Sequence, residues 1–196
     1  SHLDGGAINS NSCILTLTNC SFTANQNLDA NGGGAINIVG GSLTDINGTY
    51  ASNSCAPASG GGAIQWAGSE AFFTSTTFDS NKAPSYRGGA ILATTGTLTF
   101  SNCSFQSNFS GARGGSVRGE GVKLIFNDTS FTSNQSSLNG GAISSESSTV
   151  STIRCLFTSN QSTDGNGGGA CHANGGSWVD ANSTYTSNKA TSSGGA

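Results

Sequence analysis

Gly88-Gly89-Ala90-Ile91, followed by Phe105-Gln106-Ser107-Asn108, decides the reading of this 196-residue chain. The pattern recurs from end to end. A glycine pair opens at Gly5, Gly33, Gly61, Gly88, Gly114, Gly140, Gly168 and Gly194. In the first seven copies an aromatic ring follows 17 residues later, at Phe22, Tyr50, Phe78, Phe105, Phe131, Phe157 and Tyr185. Three positions beyond each ring stands Asn25, Asn53, Asn81, Asn108, Asn134, Asn160 and Asn188 in turn. A period of 26–28 residues held over the whole chain is the signature of a repeat architecture.

Aligning the copies on their glycine pairs turns the sequence into columns. The fourth position is apolar: Ile8, Ile36, Ile64, Ile91, Val117, Ile143 and Cys171. Gly114-Gly115-Ser116-Val117 is its loosest copy. Ten residues after the first glycine the column reads Leu15, Leu43, Ala71, Leu98, Leu124, Val150 and Trp178. Fifteen after, it is small: Cys20, Gly48, Thr76, Cys103, Thr129, Cys155 and Ser183. The small and aromatic columns share one parity, so on a strand they face the same way. No long apolar run with a 3.6-residue period is present, which argues strand over helix.

Each repeat reads as one coil of a parallel β-solenoid, with roughly three short strands joined by corners. Coils stacked about 4.8 Å apart place like columns on top of one another. The rings then form a stack and the asparagines an amide ladder. The glycine pair suits a corner where positive φ or close backbone approach excludes side chains. Residues 1–196 form one array, and both ends fall at the same phase of the repeat. The sequence therefore reads as a window on a longer array. All length variation falls between the aromatic and the next glycine pair, as in Phe109-Ser110-Gly111-Ala112-Arg113 and the longer Ser54–Gly60. That variation predicts surface loops along one edge of the rod, the expected place for partner contact.

Paired Gly-Gly-Ala-Ile and Phe-x-x-Asn motifs in constant register resemble the polymorphic outer membrane protein repeat of chlamydial autotransporter adhesins. The resemblance spans residues 5 to 196. It implies a right-handed parallel β-helix of about seven coils on the cell surface, often adhesive.

Composition excludes other classes. The net charge is −3, and the seven Lys and Arg are scattered, so nucleic acid has no electrostatic footprint. No apolar run reaches the ~18–20 residues of a membrane helix, so no membrane insertion by this segment is expected. Enzyme chemistry and cofactors are not expected either. Asp45 and Asp180 share a column five coils apart, and Asp79, Asp128, Glu70, Glu120 and Glu146 read as non-convergent. His2 and His172 lie nearly a rod apart.

The six cysteines read mainly as buried thiols, because Cys20, Cys103 and Cys155 share a column but lie several coils apart. Cys13–Cys20 and Cys155–Cys171 are the two pairs open to disulfide formation. Eight Asn-x-Ser/Thr sequons occur. Asn108, Asn134 and Asn160 fall in the ladder, and Asn127 stands apart. Asn19, Asn47, Asn102 and Asn182 share an outward column and are the candidate glycosylation sites. Threonines around the aromatic column read as a solvated strand face, since Arg154, Leu156, Asp79 and Gln106 interrupt them.

The expected function is a non-enzymatic, extracellular structural rod that associates end to end into a filament or surface appendage. The alternative is an adhesin passenger that binds a receptor or glycan through the variable loops.

Overall fold

A computed structural model describes residues 5–28, 32–56, 60–163 and 167–191. The glycine pair at Gly194, His2 and the middle of the Ser54–Gly60 loop lie outside the described residues. The chain is an all-β parallel solenoid of about six turns. One rung is Val117–Glu120, Lys123–Asn127, Ser130–Thr132 and Gln135–Ser136. Its strands pair in parallel with the rungs on either side, in the register of the sequence columns: Ile91 with Val117, Leu98 with Leu124, Phe105 with Phe131. The third strands form one seven-stranded sheet and the fourth strands another. The first two strands of every rung share a twelve-stranded sheet, because they fuse into Ile143–Ile153 and Cys171–Ala181 in the last two rungs.

Single left-handed residues make the corners. One per rung precedes the third strand: Asn19, Asn47, Ser75, Asn102, Asp128, Arg154 and Asn182, with φ from 49° to 58°. A second follows that strand, at Ala24, Ser52, Ser80, Ser107, Ser133, Ser159 and Ser187. Asn, Asp and Ser dominate because a short polar side chain tolerates this region best after glycine. The glycine pair has two separate reasons. Gly114 sits at φ +70°, and a Cβ on Gly115 would lie 1.9 Å from the Gly141 carbonyl oxygen of the next rung.

The interior is filled by the inward columns. The predicted aromatic column is a continuous stack from Phe22 to Tyr185, with ring centroids 4.6–5.0 Å apart and planes within 9° of parallel. A second stack runs beside it, through Phe73, Phe100 and Phe126 at 4.8 Å spacing. The two meet edge to face, as at Phe100–Phe105, 5.4 Å and 70°. Offset stacks and edge-on contacts both suit the ring quadrupole. The second column changes character at its ends: Leu17, Asp45, then the three Phe, then Thr152 and Asp180.

Candidate functional site

Two features stand out on this frame, one inside the rod and one on its flank. The interior feature is the asparagine ladder. Asn134 donates from Nδ2 to Asn160 Oδ1 at 3.0 Å and to the Phe105 carbonyl at 2.9 Å. Its Oδ1 accepts from the Asn108 backbone N–H and from Asn108 Nδ2, both at 3.0 Å. All four hydrogen-bonding sites of the amide are thereby used. The same side-chain contact repeats without a break from Asn25 to Asn188. Asn53, Asn81, Asn108, Asn134 and Asn160 are fully buried, and each amide ties one rung to the next.

Polar groups enter the interior elsewhere in a matched pair. Asp45 is fully buried and accepts from the Thr76 hydroxyl at 3.2 Å. Burial raises its pKa to about 6, against the opposing pull of Thr76 and of the nearby Tyr50 hydroxyl. Asp180 accepts from Thr152 at 2.7 Å and from the Tyr185 hydroxyl at 3.3 Å. Tyr50 and Tyr185 are the two tyrosines of the aromatic stack, and each follows an Asp by five residues. Tyr50 is a buried phenol with Asp45 as its polar neighbour, whereas Tyr185 is half-buried and Asp180 exposed in the last described rung. In the seventh rung, the last one described, Cys171, Ala173, Trp178, Asp180 and Tyr185 line an open recess.

The flank feature lies where the variable loops meet the first strand of each rung. Outward positions there are buried beneath the loops: Asn37, Arg118 and Ser144 are at most 1% exposed. Arg118 is fixed on three sides. Nε donates to Glu120 at 3.0 Å, Nη1 to Ser144 at 2.9 Å, and Nη2 to Glu146. Arg87, from the loop of the preceding rung, donates to the same Glu120 oxygen at 2.6 Å and lies over the Tyr86 ring, 5.6 Å from its centroid. The loops also stack on one another: Ala112 N–H donates to the Tyr86 carbonyl and Leu138 N–H to the Ala112 carbonyl. Burial works to raise the pKa of Glu120, but Arg118 and Arg87 prevail and hold it below the ordinary value. His172 has its pKa lowered by burial and by Arg113 and Arg118 nearby, and its Nε2 lies 3.4 Å from Asn139 Nδ2.

This cluster corrects one sequence reading: Glu120 and Glu146 do converge, on Arg118. Arg87 and Glu120 are 33 residues apart, so no local motif joins them. The remaining acids Glu70, Asp79 and Asp128 stay apart from it, and Asp128 pairs with Arg154 at the exposed corner, at 2.6 Å.

Asn19, Asn47, Asn102 and Asn182 are exposed, but they also occupy the left-handed corner. Backbone geometry alone therefore accounts for asparagine at these sites. Cys13, Cys20, Cys103, Cys155 and Cys171 are free thiols, so neither Cys13–Cys20 nor Cys155–Cys171 is bridged. Burial pushes the Cys103 thiol up to about 11 and raises Cys155 and Cys171 as well, which makes them unreactive packing groups. Among the described residues no helix is long and apolar enough to cross a membrane.

Residues 75–94 and 128–146 match the Chlamydia polymorphic membrane protein repeat. Each stretch runs from the corner before one rung's aromatic to the first strand of the next rung. No curated protein and no solved structure matches the chain.

Proposed function

We propose that this chain is a stiff, non-catalytic rod of a cell-surface or secreted protein, and that it works mechanically, by extending or building a surface appendage. The observation that carries the reading is the unbroken amide ladder beside the aromatic stack. The ladder runs from Asn25 to Asn188 and the stack from Phe22 to Tyr185, and each member binds its counterparts on the neighbouring rungs. The likeness of residues 75–94 and 128–146 to the Chlamydia polymorphic membrane protein repeat supports an extracellular location. The pairing of Glu120 with two arginines favours its ionised form, the opposite of what a catalytic acid requires.

A second reading is adhesion, and the charged flank favours it. Tyr86, Arg87, Glu120 and Glu146 are partly exposed on one ridge and could meet a receptor or glycan. Electron microscopy of the native material separates the two. A continuous fibre, with a layer repeat near 4.8 Å running uninterrupted between chains, supports the structural filament. Rods held singly at the cell surface, with binding lost on Arg87→Ala, support the adhesin and overturn the filament.

A further inference from the structure

The second strands of the seven rungs form a strip whose middle five rungs are self-complementary under a two-fold rotation. They are Ile14–Thr18, Ser42–Ile46, Glu70–Thr74, Thr97–Ser101, Lys123–Asn127 and the second halves of Ile143–Ile153 and Cys171–Ala181. Their outward positions carry two charges, Glu70 and Lys123, both exposed. They also carry large apolar groups that the rod interior does not use. In the middle five rungs Phe72 is 46% and Ile46 38% exposed, and Ile125 and Ile153 are half-buried, while Ile14 and Val179 stand more exposed on the two end rungs.

The register arranges these residues symmetrically about Thr97–Ser101. Glu70 lies one rung before Thr97 and Lys123 one rung after it. Phe72 and Ile125 flank Thr99 in the same way. Ile46 and Ile153 lie two rungs to either side of Ser101. A two-fold axis along the middle strand lays one rod antiparallel on another. It brings Glu70 opposite Lys123, Phe72 opposite Ile125 and Ile46 opposite Ile153, each contact made twice. At the flanking corner Asp128 and Arg154 fall opposite Ser75 and Asn47, so no like charges meet. Left-handed residues stand at the junction between first and second strands in every rung but the third, at Ser12, Gly40, Gly96, Gly121, Ser147 and Gly175.

We propose that this strip is a homodimer interface, and that two copies of the chain pack sheet on sheet, side by side and antiparallel. The apolar pairs supply the burial, and the Glu70–Lys123 pair sets the direction by disfavouring the shifted and parallel registers. A strip of five-residue strands over six rung steps covers about 480 Å² per copy, or roughly 1,000 Å² in all, which places the dimer among weak and reversible associations.

Sedimentation equilibrium over micromolar to sub-millimolar concentrations tests this. All substitutions lie on the exposed face, and circular dichroism confirms that each variant folds. The wild-type protein should reach a dimer at the upper concentrations. Glu70→Lys, which places Lys opposite Lys123, should weaken the dimer about tenfold or more. Glu70→Lys combined with Lys123→Glu should restore it. A protein that stays monomeric throughout would leave the strip to another partner or to solvent, and would overturn the proposal. Glu70→Lys without effect, or a double exchange that fails to restore the dimer, would also overturn it.

Discussion

Asn134 and Asn102 are the same residue type in adjacent repeats, yet they are held in place by different physics. Asn134 is buried and its side chain makes four hydrogen bonds, three of them to neighbouring asparagines. Removing it strands partners on both adjacent rungs, and each unpaired buried group costs about 1–3 kcal/mol. Asn134→Ala should therefore cost about 3 kcal/mol or more in urea unfolding. Asn102 is exposed at φ 55°, where glycine is at home. Asn102→Gly should change stability by less than about 1 kcal/mol. Phe105→Ala removes a ring stacked on two others and edge-on to two more, and should cost about 3–5 kcal/mol. Asp45 gives a pH signature. Its folded pKa of about 6 exceeds the ordinary 3.8, so the folded state holds the proton more tightly than the unfolded chain. The stabilisation from that proton is complete below pH 3.8 and is lost as pH rises through about 6. His172, with its pKa lowered, acts in the opposite direction as pH falls through its range. The comparison with Asp45→Asn isolates the carboxyl. Acidification from pH 7 to 5 should raise the Tm of the wild-type protein relative to that of the variant.

The loop ridge is the element least open to sequence reading. Its position was legible, because all the length variation of the repeat falls there. Its charges were not, since Arg87, Arg118, Glu120 and Glu146 come from three successive rungs and meet only when the stack forms. The aromatic and asparagine columns were legible because every copy keeps the residue type. The Phe73, Phe100 and Phe126 stack was not, because its column opens with Leu17 and Asp45 and closes with Thr152 and Asp180. The identity of the corner residues was also hidden: an exposed Asn before Ser or Thr has the same pattern whether a glycan or a backbone torsion selects it. Arg118 is the keystone of the ridge. Arg118→Ala leaves Glu120 and Glu146 without their shared partner, though both keep some contact with water. A loss of about 1–3 kcal/mol is expected, after discounting for that exposure. Proteolysis should then appear first beside Tyr86 and Arg87, where the loop loses its anchor.

At the scale of the molecule the rod is a one-dimensional stack, in which each rung touches only the rungs beside it. Deleting residues 88–113 removes 26 residues, one complete period, and joins Arg87 to Gly114 at the same phase. The shortened chain should fold with its ladders closed up by one step. Deleting 88–100 instead breaks the columns and should abolish the cooperative transition, which circular dichroism during heating would record. The dimer proposed above adds a lateral contact without using either end of the stack. The central claim is mechanical, that strength lies in the ladders between rungs, and pulling single molecules by their two ends tests it most directly. Resistance should appear as a series of steps. Each step releases one rung of 26–28 residues, or about 90 Å of extended chain, and Asn134→Ala should lower the force of the steps at its own rungs. Extension without resolved steps, or a force unchanged by Asn134→Ala, would contradict it.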